Sequence, residues 1–158
     1  ILPNEEMYDD VIRVGGWFHD VGKGIEPHWT YGALICQELL EDLCSPAKLE
    51  QIVEIVGSHT LRKTKEYPHY VKLVQDADIL DHFGSQEIWL GFWHSAFRRE
   101  TVDYMLEFYA DSYEPNTKRV RDLLNYPESV AFFDEKDRFV KDFIARFARE
   151  AQGDLVRE

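Results

Sequence analysis

Cysteine is nearly absent from this sequence: Cys36 and Cys44 are the two in 158 residues, and no Cys-x-x-Cys pair occurs. A thiolate zinc site is therefore unsupported. On one helix, eight positions apart, the two Cα atoms would stand roughly 12 Å apart. A disulfide needs less than about 7 Å. Free thiols in a reducing compartment are expected, which points to the cytoplasm. Long apolar runs are also lacking. The longest is Ile88 to Trp93, with Gly91 inside it, far too short to cross a bilayer. Glu5, Glu6, Asp9 and Asp10 at the start do not read as a signal peptide. Alternating Val, Ile and Thr runs are missing, so no strand is predicted. Basic charge is in deficit, 18 Lys and Arg against 30 Asp and Glu, for a net charge of −12. Such a surface repels nucleic-acid polymers and anionic membranes. A small phosphorylated substrate stays compatible, because a bound metal can invert the field locally.

What is present is helical periodicity and enough apolar residue, 44%, to build a core. The length suits one domain, and the pattern predicts a single all-α helical bundle over residues 1–158. A first helix is expected from Tyr8 to Val21, ended by Gly22 and Gly24. A second runs from Trp29 to Leu43, with Leu34, Ile35, Leu39, Leu40 and Leu43 as its apolar residues. Ser45-Pro46 gives a capping residue and an N1 proline for a third helix, Pro46 to Ser58. A charged loop, Arg62 to Glu66, precedes a fourth helix from Pro68 to Asp81. Gln86 to Tyr109 is helical and aromatic-rich. Asp111 to Lys118 reads as a loop because of Pro115 and Asn116. The last helix spans Ser129 to Glu150, with Phe132, Phe139, Phe143 and Phe147 on one stripe. The aromatics Trp89, Phe92, Trp93 and Phe97, at helical spacing, read as core. A helical interaction module is the blander alternative they leave open.

The chemistry gathers around Phe18-His19-Asp20-Val21-Gly22-Lys23. His19 and Asp20 are adjacent metal-ligand types near a helix end. Downstream, Asp76-Ala77-Asp78-Ile79-Leu80-Asp81 puts three acids in six residues between apolar neighbours. Asp78 and Asp81 share a helix face; charge there calls for a partner or a metal, whereas Asp76 alone reads as a solvated acid. His28 and His59 lie at helix ends, where bundles place ligands. Together these residues make the nitrogen and oxygen donor set of a one- or two-metal hydrolytic centre. His69, His82 and His94 are assigned structural roles.

In order, the His-Asp-x-Gly-Lys run, His28 with Gly32-Ala33, Gly57-Ser58-His59 and Asp76-Ala77-Asp78-x-Leu80-Asp81 resemble the HD-domain superfamily of metal-dependent phosphohydrolases, in particular small stand-alone bacterial members. The resemblance spans Trp17 to about Gly84. It implies an all-α fold of the HD-domain type, and a divalent cofactor, one or two ions of Mn, Mg, Fe, Co, Ni or Zn. It implies His19, Asp20 and Asp78 as core ligands, with His28 and His59 matching the two histidines added in two-metal members. The substrate expected is small and phosphorylated, a nucleotide in the first instance. Lys23 is assigned to substrate phosphate or to a helix C-terminus, and Asp81 to ligand orientation or base catalysis. Asp20, Lys23 and Asp81 are thus the catalytic candidates. The family's first histidine lies upstream of the pair, and no histidine precedes His19. Its helix is expected before Ile1; otherwise the site is one ligand short and the domain binds a nucleotide or partner without turnover. The same donors also occur in di-iron HD-type oxygenases, a further alternative.

Overall fold

Residues 8–154 are described by the computed structural model, and eight helices organise them: α1 (Asp9–Phe18), α2 (His28–Leu40), α3 (Pro46–Ser58), α4 (His69–Asp81), α5 (Ser85–Arg98), α6 (Val102–Asp111), α7 (Tyr113–Arg121) and α8 (Pro127–Ala151). No strand occurs among the described residues. The Ser45-Pro46 signal holds: the Ser45 hydroxyl accepts from Lys48 N at 3.4 Å, and Pro46 occupies the first turn of α3. Proline likewise opens α8. The aromatic-rich region divides at Arg99, whose left-handed backbone (φ 58°) ends α5. Thr101 then caps α6 by accepting from Tyr104 N. No described helix is long and apolar enough to cross a membrane. Both cysteines are free, and burial pushes the Cys36 thiol up to about 11.

Two compact units divide between Asp78 and Ile79. In the first, α1, α2 and α3 pack together with the first three turns of α4. Its core holds Val11, Cys36, Ile52, Ile55, Val56, Tyr67, Val71 and Val74. In the second, Phe83 and Phe133 pack with Ile79 and Leu124, and Met105, Tyr109, Tyr113 and Val140 form a further cluster. A cavity of about 690 Å³ opens between α5 and α6, with Trp93, Tyr104 and Phe108 on its wall. It contains none of the candidate ligands.

Several sequence expectations change. Helix α1 stops at Phe18 rather than Val21, and His19 to Gly24 continue as hydrogen-bonded turns, with Val21 N bonded to Phe18 O and Lys23 N to Asp20 O. Helix α2 ends at Leu40, not Leu43. Residues 113–118, expected as part of a loop, are helical and belong to α7. Pro115 sits in the first turn of α7, where backbone N–H groups have no intrahelical acceptor and proline removes no bond. The Thr117 hydroxyl also donates to Tyr113 O at 2.8 Å.

The apolar stripes are rotated as well. Trp89, Trp93 and Phe97 are exposed, Phe97 by 75%; Phe92 alone of the four packs inward. On α8 the inward residues are Phe133, Val140, Ile144 and Phe147, while Phe132, Phe139 and Phe143 are exposed. On α2 the buried positions are Gly32 and Cys36, and Leu34 and Leu39 face outward, as does Leu43 beyond the helix end. Small residues line that face because the backbone behind it comes very close. A Cβ on Gly22 would lie 2.3 Å from His28 O and 2.5 Å from Gly32 N. Gly22 is thus needed for space, at the turn that separates His19-Asp20 from α2.

Gly22→Ala should cost about 2 kcal/mol or more through overpacking against backbone, roughly a 5 °C fall in melting temperature for a chain of this size. Gly16→Ala, where a Cβ meets nothing within 4 Å, should leave stability unchanged or raise it by up to about 1 kcal/mol through helix propensity. Thermal melts of both variants check the contrast.

Candidate metal centre

The turn after α1 places His19 and Asp20, the start of α2 places His28, the end of α3 places His59, and α4 places Asp78. All five lie in the first unit, and the structure brings all five together. One ligand atom each of Asp20, His28 and His59 falls within 4.8 Å of the others. The Asp20 carboxylate is the centre. Its Oδ1 faces His28 Nε2 at 3.8 Å and His59 Nε2 at 3.6 Å. Its Oδ2 faces His19 Nε2 at 3.6 Å, and His19 Nε2 in turn faces Asp78 Oδ1 at 3.6 Å.

Each histidine is turned the same way. His19 Nδ1–H donates to Gly16 O at 2.6 Å, and His59 Nδ1–H donates to Val56 O at 2.8 Å. His28 Nδ1 meets the Glu26 carboxylate at 3.2 Å. A carbonyl oxygen can only accept, so His19 and His59 carry their proton on Nδ1. Their Nε2 lone pairs face the carboxylates, the tautomer that metal-ligating histidines adopt. Separations of 3.6–3.8 Å are too long for good hydrogen bonds. They approach the roughly 3.4 Å between two ligands of one tetrahedral ion with bonds near 2.1 Å. The donor set fits a divalent metal. The two oxygens of Asp20 face separate groups, Oδ1 with His28 and His59, Oδ2 with His19 and Lys23.

The electrostatics differ between the histidines. Burial, foremost, lowers the His59 pKa, which keeps that ring neutral and able to ligate at neutral pH. The facing Asp78 carboxylate is the main cause that raises His19, against the opposing effect of burial. Burial pushes Asp20 up, but the Lys23 hydrogen bond and His19 outweigh it and the pKa is lowered. Burial opposes Asp78 likewise, yet His19 and Arg62 hold its carboxyl well below the usual carboxylate range.

Lys23 is exposed and its ammonium donates to Asp20 Oδ2, so it sits on a candidate ligand carboxylate. Asp81 is exposed as the last residue of α4. Asp76, expected to be solvated, is 2% exposed. More than half of the α4 circumference is buried, through Tyr70, Val71, Val74, Gln75, Asp76 and Ile79, so the third acid falls inside. His69, His82 and His94 do not join the ligand group; His69 stacks edge-on against Tyr8, and His94 lies on Trp93. Sequence reasoning missed Glu26 and Arg62. Glu26 lies two residues before His28, too near for a helical pairing rule, and Arg62 looked like part of a charged loop.

The family model described as HD domain matches residues 3–82. No curated protein and no solved structure matches the chain.

In the metal-free protein, Asp78 ties stability to pH. Its pKa is depressed on folding, so the unfolded chain binds the extra proton. That stabilisation is complete above the unfolded value of about 4 and lost as pH falls through the lower folded value. The urea midpoint of the metal-free protein should fall between pH 5 and pH 3, and less steeply in Asp78→Asn.

Proposed function

Because the chain belongs to the HD-domain family, we propose that it is a metal-dependent phosphohydrolase acting on a small phosphorylated substrate, a nucleotide in the first instance. The observation that carries this reading is the convergence of three Nε2 atoms on the oxygens of Asp20 and Asp78. Asp20, His28 and His59 would hold one divalent ion, and His19, Asp78 and the other Asp20 oxygen a second. A divalent ion so held lowers the pKa of bound water and offsets phosphoryl charge.

The chain's own groups do the rest. The Nδ1 tethers to Gly16 O, Val56 O and Glu26 stop the imidazoles from turning away and keep their protons off the ligating nitrogens. Lys23, held at Asp20 by an exposed contact, is the cation assigned to substrate phosphate. Asp81 is assigned to base catalysis or to orienting a ligand. The net charge of −12 disfavours nucleic-acid polymers and anionic membranes as partners. The two free thiols favour the cytoplasm.

The test is a phosphate-release screen of nucleoside mono-, di- and triphosphates with manganese, cobalt, nickel and magnesium. At least one pairing should turn over, and exhaustive chelation should abolish it. Activity that survives chelation overturns the metal-water reading, and metal-dependent oxygen uptake without phosphate release would favour the oxidase alternative.

Asp20→Ala should lose bound metal while circular dichroism stays helical, because Asp20 faces all three histidines. Full metal content in that variant by elemental analysis would show the centre to be elsewhere.

A further inference from the structure

Arg62 follows His59 by three residues and is mostly buried, its side chain 14% exposed, as is that of Asp78. Its Nη2 donates to Asp78 Oδ2. Its Nε and Nη2 also reach Gln75 O at 3.4 and 3.3 Å. Gln75 Nε2 donates to Ser58 O at 2.8 Å, one residue before His59. This circuit ties the end of α3, which carries His59, to the stretch of α4 that carries Asp78. The oxygen that Arg62 leaves facing the histidines is Asp78 Oδ1, 3.6 Å from His19 Nε2.

We propose that Arg62 is a positioning residue that commits Asp78 to ligate metal through Oδ1 alone. The inference rests on the reading of this cluster as a metal centre. A carboxylate can bind a cation through one oxygen or both. A guanidinium fixed on Oδ2 removes the second mode, and its planar fork holds the plane of the carboxylate through the shared contact with Gln75 O. Arg62 also sets a permanent positive charge against one of the two site carboxylates. The site thereby keeps its ion while presenting less negative charge to an incoming phosphate. Lysine in this place could donate to Oδ2 but could not span to Gln75 O with fixed geometry.

The probe is Co²⁺, whose visible absorption weakens as coordination number rises. In the full chain, Arg62→Met should free Asp78 to bind through both oxygens, so the Co²⁺ band loses intensity relative to wild type. Arg62→Lys should recover part of the loss. In an Asp78→Asn background the Arg62 substitution should no longer change the band. A folded Arg62→Met protein with the wild-type spectrum and wild-type Co²⁺ affinity overturns the proposal. A metal-free measurement stands beside it: Arg62→Met with Asp78→Asn should melt no lower than the worse single variant, and additive losses overturn the pairing itself. If the wild-type chain takes up no Co²⁺, the metal reading and the ligation mode fall together, before any variant is compared, while the melts still decide whether Arg62 and Asp78 act as a pair.

Discussion

The contact between Gly22 and the start of α2 governs the first unit. The turn that follows α1 rests on His28 O and on the backbone of Gly32, with no room for a single added carbon. That closeness brings the Asp20 carboxylate near the His28 imidazole, and it leaves little space beside Gly32 on the buried face of α2. Cys36 is fully buried in the core that α3 and α4 complete. Packing and chemistry are therefore joined at one backbone approach: the same turn that packs on α2 sets the spacing of the candidate ligands Asp20 and His28.

Holding two carboxylates among three imidazoles is costly unless each polar group is spoken for. The protein does this with short-range tethers. His19 and His59 each donate to a carbonyl of the turn behind them, at Gly16 and Val56. These carbonyls lie near helix ends, where acceptors are left over from the helical ladder. The carboxylates are held from outside the imidazole group, Asp20 by Lys23 and Asp78 by Arg62. One cation is exposed, the other mostly buried.

The second unit obeys different constraints. Residues 83–158 lie outside the family match, and their apolar residues exceed what the packing there uses. Trp89, Trp93, Phe97, Phe132 and Phe139 are exposed although hydrophobic periodicity placed them inside. Periodicity identifies a helix by its repeat, yet it does not say which of two apolar stripes faces inward when both exist. On α8 the two stripes differ by one residue, about 100° of rotation, and Phe133 with Val140 faces inward. Residues 113–118 escaped as part of a helix because Pro115 and Asn116 read as a loop; their location in the first turn, visible only once Tyr113 is seen to start the helix, makes both acceptable.

The sequence by itself determined the all-α class, the location of five helices within a few residues, and His19, Asp20, His28, His59 and Asp78 as the candidate donors. Local rules suffice there: capping, proline placement and glycine stops act within a turn, and metal-ligand side chains are few enough to be found by type. The tertiary structure alone decided which face of each helix is inside, that Asp76 is buried, that each Asp20 oxygen serves a different pair of partners, and that Arg62 stands behind Asp78. Those outcomes depend on how closely backbones approach across long stretches of chain, and a distance between α3 and α4 has no period or spacing in the sequence from which it can be read.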